Sequence, residues 1–406
     1  MANTLNLGNG NWATKEDSLL AYNSENGNFK PLPFDFTRAS SATVVNKDGL
    51  IETVGSGEPR IDFSNDAKGA LLLEPTRTNT ALQSNKFDTT WINTNSAETS
   101  GQVGVGGSTD AWLLNKSAAN GHIKQNLSSS GIQTLSVFAK KGSLNWIRII
   151  AIGGTSVPST WFDLENGVVG AADFSTVSSS IENYGNGWYR CSITIDVGTI
   201  TGIRYYPSVD NNNVSGTSGN IYIQNAQLEQ GSYATSYIPT SGSAITRSAD
   251  ACNNAGSEQV INSTEGVLYF KGSVLDISTP NSWISVSQSS SYTNNQFNLR
   301  FVADSNLIQA VSRANGLGQD VVLQYTLSDK TTINKIAIKY KLNDWALWVN
   351  GIEVDTETSS VAFTSNSLDV LDFDRGNNSN NFYGNTKDLR VYNTALTDAE
   401  LATLTT

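Results

Sequence analysis

The sequence contains very few of the residues that build metal centres and disulfide frameworks. Its 406 residues include one histidine, two cysteines and one methionine. A metal site made of several histidines therefore cannot form within one chain. Two cysteines are also too few for a disulfide framework. We expect Cys191 to be a core thiol, because it alternates with apolar residues in WYRCSITI, and Cys252 to lie in a polar connection; a bridge between them is the alternative.

Positive charge is also scarce. The formal net charge is −11, the sequence pI is about 4.7, and no run of basic residues is present. Phosphate binding needs clustered lysine or arginine, so a nucleic-acid partner is excluded. No stretch of 18 apolar residues and no basic-then-apolar N-terminus is found, so we expect neither membrane insertion nor a signal peptide. Release by cell lysis as part of a particle is one route by which such a chain reaches the outside.

Asparagine, serine, threonine and glycine are abundant, and 9% of residues are aromatic. This composition favours strands joined by polar turns over amphipathic helices. The Asn-Gly pairs at 166–167, 186–187 and 350–351 are typical of tight hairpins, since type I′ turns need positive φ angles. The prediction is an all-β protein with two tandem β-sandwich (jelly-roll) domains.

The chain divides into four predicted segments. Residues 1–81 form an N-terminal strand-containing segment for attachment or assembly, and residues 82–240 form the first sandwich. Residues 241–264 have few large apolar side chains and are predicted to be a linker. Residues 265–406 form the second sandwich, which ends in a short helix.

The predicted helix lies in LTDAELATLTT at the C-terminus. Thr397 and Glu400 have the spacing of a capping box, and Leu401 and Leu404 supply a small apolar face. We expect this helix to dock onto the second sandwich.

The sharpest catalytic candidate is EVDTE at 353–357. Glu353, Asp355 and Glu357 would project from one face of a strand, a pattern that resembles the E-x-D-x-E of retaining glucanases with a concanavalin-like sandwich. Such enzymes place two carboxylates about 5 Å apart. Thr356 stands where that family prefers an apolar residue, and the alternative is the solvated face of an outer hairpin strand. The second interpretation is favoured, so no enzyme activity is expected.

The single histidine offers no better catalytic site. His122 would need a neighbouring nucleophile to act as a base, and the sequence has no G-x-S-x-G elbow. No G-x-G-x-x-G or P-loop pattern indicates a nucleotide cofactor. Calcium is the one cofactor left open, through a cluster of oxygen donors that lacks the EF-hand spacing. Its candidate ligands are Asp369, Asp372 and Asp374, of which strand alternation places the last two on one outward face.

Aromatic residues are the candidates for binding. Sugar rings stack on exposed aromatic faces while amide and carboxylate groups fix the hydroxyls. Core packing is the alternative for each ring, and Trp345 and Trp348, three positions apart, face opposite ways on a strand, so that only one of them belongs to the core. The candidate sugar-binding residues are Trp146, Trp161, Tyr205, Tyr206 and Trp348.

The segment AQLEQGSYATSYIPTSGSAITRSAD (226–250) resembles the closing segment of a carbohydrate-binding-like sandwich found in tailed-bacteriophage structural proteins. SVFAKKGSLNWI, WFDLENGVVG and IENYGNGWYRCSIT are similar to its internal strands. FDFTRASSATVVNKDGLIETV and GALLLEPTRTN are similar to the segment that precedes this sandwich in the same proteins. The C-terminal part, from NKIAIKYKLNDWALWVNGIEV to FYGNTKDLRVYNTALTDAEL, is similar to laminin-G and concanavalin-like lectin domains.

The resemblance implies a phage virion protein, a fibre, appendage or decoration protein of head or tail. It implies localisation on the particle surface, contacts of the N-terminal segment with other virion proteins, and homo-oligomers, with a trimer as the state considered. Adhesion to host-surface or environmental glycans is the function expected. A depolymerase that uses Glu353 and Glu357, a spacer without ligand, and a cellular adhesin are the alternatives. The resemblance carries no catalytic set.

Overall fold

The computed structural model describes residues 3–29, 33–64, 66–153, 157–196, 198–275 and 281–406, and strands dominate it. The all-β prediction is confirmed. Among the described residues the C-terminal helix is the only α-helix, and no helix there has the length and apolar character needed to cross a membrane.

The first half of the chain contributes short strands and then longer ones. In chain order these are β1 (Leu5–Gly8), β2 (Ala13–Lys15), β3 (Ser18–Leu20), β4 (Pro33–Thr37), β5 (Ala42–Val45), β6 (Ile51–Val54), β7 (Ile61–Asp62), β8 (Ala70–Leu73), β9 (Arg77–Asn79), β10 (Ile92–Thr94), β11 (Ser96–Gln102), β12 (Ala111–Lys116), β13 (His122–Ser130), β14 (Gln133–Lys141), β15 (Trp146–Gly153), β16 (Ser159–Asp163), β17 (Val168–Ala172), β18 (Thr176–Asn183), β19 (Trp188–Ile195) and β20 (Thr199–Ser208).

The second half adds the remaining strands and the helix. These are β21 (Gly219–Gln230), β22 (Ile245–Arg247), β23 (Ala251–Asn253), β24 (Glu265–Val274), β25 (Ser282–Ser287), β26 (Gln296–Phe301), β27 (Leu307–Arg313), β28 (Val322–Thr326), β29 (Asn334–Lys341), β30 (Trp345–Val349), β31 (Ile352–Glu357), β32 (Val370–Asp372), β33 (Gly384–Tyr392) and α1 (Asp398–Thr405).

The chain forms two compact units. The lectin-like unit consists of residues 1–41, 54–75 and 249–406, and the central unit consists of residues 42–53 and 76–248. This grouping differs from the predicted boundaries, because β1 and β8 both pair with β33 and so place parts of the N-terminal segment in the sheet of the C-terminal sandwich. The attachment role of residues 1–81 stays a prediction.

Three sheets build the lectin-like unit. The largest follows the order β31-β30-β29-β24-β33-β8-β7, with β1 also on β33, and the others are β28-β27-β26-β25-β32 and β2-β3-β4-β23. In β24, Leu268 and Phe270 enter the main core, while Val267 and Tyr269 point to the other face, where α1 packs. The strand is buried on both faces for this reason. The predicted capping box of Thr397 and Glu400 is confirmed.

The helix also explains why the prediction that only one of Trp345 and Trp348 belongs to the core is wrong. Trp345 lies in the main core and Trp348 lies on the opposite face of β30, as alternation requires, yet both are buried. Trp348 is covered because it packs in the same cluster as Leu401 of α1. Cys252 is a second correction, since β23 carries it fully buried into the core. Cys191 is a buried core thiol, as predicted, and both thiols are free.

In the described residues the central unit contains two six-stranded sheets, in the orders β10-β13-β20-β15-β16-β17 and β11-β12-β21-β14-β19-β18, and the short pairs β22-β9 and β5-β6. The apolar core lies between the two six-stranded sheets and takes Ile147, Ile149 and Ala151 from β15. Strand alternation therefore turns Trp146 and Arg148 to the opposite face of their sheet.

The predicted hairpin turns hold with one difference. Asn350 and Gly351 both have positive φ, 48° and 89°, and form the two-residue loop between β30 and β31. The loop between β16 and β17 is longer, and there Gly167 has a positive φ whereas Asn166 does not, so the predicted type I′ turn at 166–167 is wrong. Asp163 fixes that loop by accepting the backbone N–H groups of Glu165 and Asn166.

Candidate functional site

A row of rings and one guanidinium crosses the β10-β13-β20-β15-β16-β17 sheet on the face turned away from the core. Tyr206 is the register partner of Arg148, and Arg148 is the partner of Trp161. The Arg148 guanidinium carbon lies 4.1 Å from the centre of the Trp161 ring and 5.9 Å from that of Tyr206. His122 continues the row by stacking on Tyr206 at 4.4 Å. We call this surface the cation–aromatic face.

Two further cations stand beside the row. Lys124 and Arg204 are direct cross-strand partners, and Nη1 of Arg204 donates to the Tyr206 hydroxyl at 3.3 Å. Like charges directly opposite each other on a sheet repel. The cation–aromatic face is thus positively charged, although the whole chain carries a net charge of −11.

Burial lowers the pKa values of two side chains of the cation–aromatic face. The pKa of Arg148 is lowered because burial disfavours the charged guanidinium, and Tyr206 and Asp173 offset this only in part. The pKa of His122 is also lowered, first by burial and then by Arg204 and Lys124, and the backbone carbonyl of Asn120 at 2.9 Å acts against the shift. His122 is therefore neutral at physiological pH and serves as a ring to stack upon.

Trp146 is the half-buried ring of the cation–aromatic face. A side-chain carbon added to Gly170 would come within 2.5 Å of the Trp146 ring, so the ring lies directly against that part of the backbone. The exposed side chain of Asn211 also lies next to Gly170, and its Oδ1 accepts the backbone N–H of Ala171 at 2.8 Å. A flat ring beside amide groups is the arrangement that sugar binding uses.

Three of the five predicted aromatic residues meet on this face, namely Trp146, Trp161 and Tyr206. Tyr205 is a correction, because alternation turns it into the core, where it is fully buried and stacks on Trp91 at 5.5 Å. Trp348 is a second correction, since it lies beneath α1 in the lectin-like unit. Neither ring lies on this face, and since Trp161 and Tyr206 are each only 6% exposed, Trp146 is the ring of the three that a ligand can reach.

The cationic residues of the cation–aromatic face were not predicted from the sequence, because they do not form a run of basic residues. Arg148 follows Trp146 by two positions in NWIRIIAI, which puts both on one face of a strand, and this was the available signal. Arg204 and Lys124 are brought together only by the pairing of β13 with β20.

The carboxylates of EVDTE lie on β31, the edge strand of the large sheet. Glu353 is exposed, Asp355 accepts the backbone N–H of Gln324 at 2.8 Å, and Glu357 accepts that of Ser359 at 2.9 Å. The last two carboxylates are thus engaged with the backbone. Catalysis by these carboxylates remains the alternative prediction made from the sequence.

The three aspartates proposed for calcium each have their own donors. Asp369 accepts from the backbone and hydroxyl of Ser289, and Asp372 accepts the backbone N–H of Asn254 at 2.7 Å. Asp374 accepts the Asn253 amide at 3.1 Å. Asp372 and Asp374 are buried, which corrects the predicted outward face. In the described part of the chain, no group of three or more His, Cys, Asp or Glu side chains is placed to hold a metal ion.

A polar cleft of about 260 Å³ lies in the lectin-like unit. Lys387 pairs there with Asp66 at 3.1 Å, and the pKa of Asp66 is lowered, chiefly by the backbone N–H of Lys68. No aromatic side chain lines this cleft. Its walls are Asp62, Ser64, Asp66, Ala70, Ser273, Thr331, Thr332, Ile333, Asn385 and Lys387.

Comparison with protein families gives one match, over residues 276–402, to the model of the concanavalin A-like lectin/glucanases superfamily. This part of the chain is a lectin-like β-sandwich. The match covers much of the lectin-like unit and none of the central unit. A search of curated protein sequences finds no match.

Several solved carbohydrate-binding structures resemble part of the chain. The CBM40 of the Ruminococcus gnavus IT-sialidase bound to alpha2,3 sialyllactose is 17% identical, with a TM-score of 0.32, over 38% of this chain and 94% of that chain. Domain 4 of the arabinanase AbnA from Geobacillus stearothermophilus, in complex with arabinotriose, is 14% identical, with a TM-score of 0.31, over 44% and 83%. At these values the likeness says nothing about the ligand of this chain.

Proposed function

We propose that this protein binds glycans through the cation–aromatic face of the central unit. The observation that carries the proposal is the half-buried Trp146 ring, held against the backbone at Gly170 next to Arg148 and Asn211. The ring supplies a stacking surface, and the guanidinium and amide groups supply donors and acceptors for hydroxyls. The lectin-like fold of residues 276–402 supports the same class of function in the chain.

Binding without cleavage is the simpler form of this function. Glycosidases need an acid and a second carboxylate on either side of the scissile bond. Asp163, the carboxylate in register with Trp146, is buried and accepts hydrogen bonds from its own loop. We therefore propose that the protein is not an enzyme, and that the Glu353→Gln/Glu357→Gln double variant retains all glycan-related activity of the wild type.

We further propose that the protein acts on the surface of a tailed-phage particle as a fibre, appendage or decoration protein. The support is the sequence resemblance of the segments around residues 34–79 and 226–250 to such proteins. Weak single sites repeated on many copies would raise attachment by roughly 10²–10⁴-fold without any new contact. A spacer without ligand is the competing role, and the accessible Trp146 ring counts against it.

The test is a glycan panel probed with the full chain and with Trp146→Ala. Wild type should bind at least one glycan of the panel, and the variant should lose about tenfold or more of that affinity, since one base or sugar stacked on an aromatic ring is worth about 1–3 kcal/mol. Trp12→Ala, which removes a tryptophan of the lectin-like unit, is the matched control and should bind as wild type does. Equal binding by wild type and Trp146→Ala would exclude this face as the site.

A further inference from the structure

We infer that the lectin-like unit carries a second binding site, for a saccharide bearing carboxylate or sulfate groups, on the outer face of β25, β26 and β27. Three arginines define it, and we call it the arginine face. Arg300 lies opposite Trp283 in the register of β25 and β26, and Arg313 projects from β27 on the same side. The third is Arg375, from the loop after β32. The site is separate from the cation–aromatic face and does not depend on it.

Trp283 contacts two of these cations. The guanidinium carbon of Arg300 is 5.3 Å from the ring centre, and that of Arg375 is 5.1 Å from it. Both arginines are half-buried, and the ring itself is buried. The ring therefore fixes the two guanidinium groups close to one another and to the surface.

Within the described ranges of the chain, the three arginines have no acidic partner. The pKa of Arg300 is lowered, first by burial and then by the positive charges of Arg375 and Arg313. Among the described residues, none of the three arginines forms an ion pair. Asp372, the register partner of Ser285 in β32, lies on the same face, and its carboxylate accepts the backbone N–H of Asn254 at 2.7 Å.

Several other cations of the lectin-like unit are paired with carboxylates. Lys339 lies 2.7 Å from Asp344, and Arg390 lies 2.6 Å from Asp388. In the described part of the chain the arginines lack such partners, and an anion in contact with the guanidinium groups would reduce their repulsion. Guanidinium groups bind carboxylate and sulfate in the same forked geometry.

Beneath the arginines the same face holds buried polar atoms that have no hydrogen-bond partner among the described residues. A buried polar group left unpaired costs about 1–3 kcal/mol, so a concentration of them at one place indicates a ligand or ordered water. The side chains of Trp283, Ser285, Ser287 and Asn298 are each more than nine-tenths buried. The unpaired atoms are Nε1 of Trp283, Oγ of Ser285, Oγ of Ser287, Oδ1 of Asn298, Nε of Arg300 and Nε of Arg375.

The loop after β32 partly covers these atoms. A side-chain carbon on Gly376 would lie 3.0 Å from Oγ of Ser287, and the carbonyl of Arg375 accepts from the Gln296 amide at 2.5 Å. The open side of the face carries Arg300, Gln309 and the exposed Gln324, which follow one another in register. A saccharide would lie on this side, with its anionic group against the guanidinium groups and its hydroxyls toward Ser285 and Asn298.

The experiment is calorimetric titration of the full chain with three sets of oligosaccharides. One set carries carboxylates, the second carries the same sugars with the carboxylates methyl-esterified, and the third carries sulfates. We expect binding to at least one charged set to be at least tenfold tighter than binding to the esters. The charged set that binds identifies the anionic group that the site recognises. Arg300→Gln and Arg313→Gln should each weaken it by tenfold or more, while Trp146→Ala, which tests the proposed function, should leave it unchanged.

The free energy of unfolding distinguishes a binding role from a structural one. Arg313→Gln should leave the stability of the ligand-free protein unchanged or raise it, because it removes repulsion. No binding to any charged saccharide, equal binding of esters, or a loss of stability in Arg313→Gln with unaltered binding would each overturn the inference.

Discussion

Arg38 and Asp250 are 212 residues apart in the sequence, yet Nη1 of Arg38 lies 3.1 Å from Oδ1 of Asp250 with both side chains fully buried. The second Asp250 oxygen accepts from Arg60 and from the backbone N–H of Glu74 at 2.8 Å. Arg60 also pairs with the Glu74 carboxylate at 2.6 Å. These four charges join the N-terminal strands of the lectin-like unit to the start of its C-terminal part.

Replacing the shared acid should therefore be costly. Burial alone would lower the pKa of Arg60, but Asp250 and Glu74 outweigh it and raise the pKa. Asp250→Asn leaves two buried guanidinium groups with too little negative charge, and we expect a loss of about 3–5 kcal/mol in the free energy of unfolding. Urea unfolding followed by circular dichroism measures it.

The control for this prediction is a surface ion pair of the same unit. Lys341 lies 2.9 Å from Glu265, with half of the lysine side chain exposed. Lys341→Gln should change the free energy of unfolding by less than about 1 kcal/mol. If Asp250→Asn has an equally small effect, the buried network contributes no more than a surface pair does.

Glu229 lies next to the last residue of β21 in the central unit. Its carboxylate is fully buried and accepts the Thr235 backbone N–H at 2.8 Å, the Thr235 hydroxyl at 2.6 Å and the Gln227 amide at 2.6 Å. It thus fastens the loop of SYATSYIPT to β21.

Glu229→Gln should destabilise the central unit by about 1–3 kcal/mol, because it removes a buried negative charge that strengthens the hydrogen bonds from Thr235 and Gln227 and lies 3.9 Å from Arg77. Thermal unfolding compared with Glu182→Gln, an exposed glutamate of the same unit, measures the effect. A midpoint equal to that of the control would show that the carboxylate is dispensable.

Asp372 makes stability depend on pH. Burial, helped by Asp374 and Asp369, raises its pKa from 3.8 to about 6, and the Asn254 N–H acts against the shift. Since the folded state then binds the proton more tightly than the unfolded state, the contribution of Asp372 to stability is greatest below about pH 4. It falls by about 3 kcal/mol as pH rises to about 6 and above.

Asp372→Asn should remove this pH-dependent contribution to the free energy of unfolding. The variant is expected to match the wild type near pH 4 and to exceed it in free energy of unfolding at pH 7. Urea midpoints at four pH values test this, with Asp304→Asn, an exposed aspartate, as the control. Parallel pH curves for wild type and Asp372→Asn would refute the prediction.

Local patterns in the sequence were sufficient to predict the fold class, the capping box and the core position of Cys191, because each of these features depends on alternation or on short residue spacing. Tyr205 and Tyr206 show the limit, since alternation says that they face opposite ways and not which one faces the core. Trp348 and Cys252 were misassigned because α1 and β23 cover or bury them through contacts far apart in sequence.

The binding surfaces depend on pairing between distant strands. Arg148 and Tyr206 meet because β15 pairs with β20, and Trp283, Arg300 and Arg375 meet because β25 pairs with β26 and a loop returns from β32. No residue spacing in the chain reveals either arrangement. Only the proximity of Trp146 to Arg148 was visible in the sequence.

The most direct test of glycan binding at the cation–aromatic face is hydrogen exchange of the full chain with and without a glycan that the panel identifies. Peptides from β15, β16 and β20 should exchange more slowly in the complex, and those slowed rates should be absent in Trp146→Ala. Protection confined to the polar cleft around residues 62–66, 331–333 and 385–387, with β15 and β20 unchanged, would contradict it.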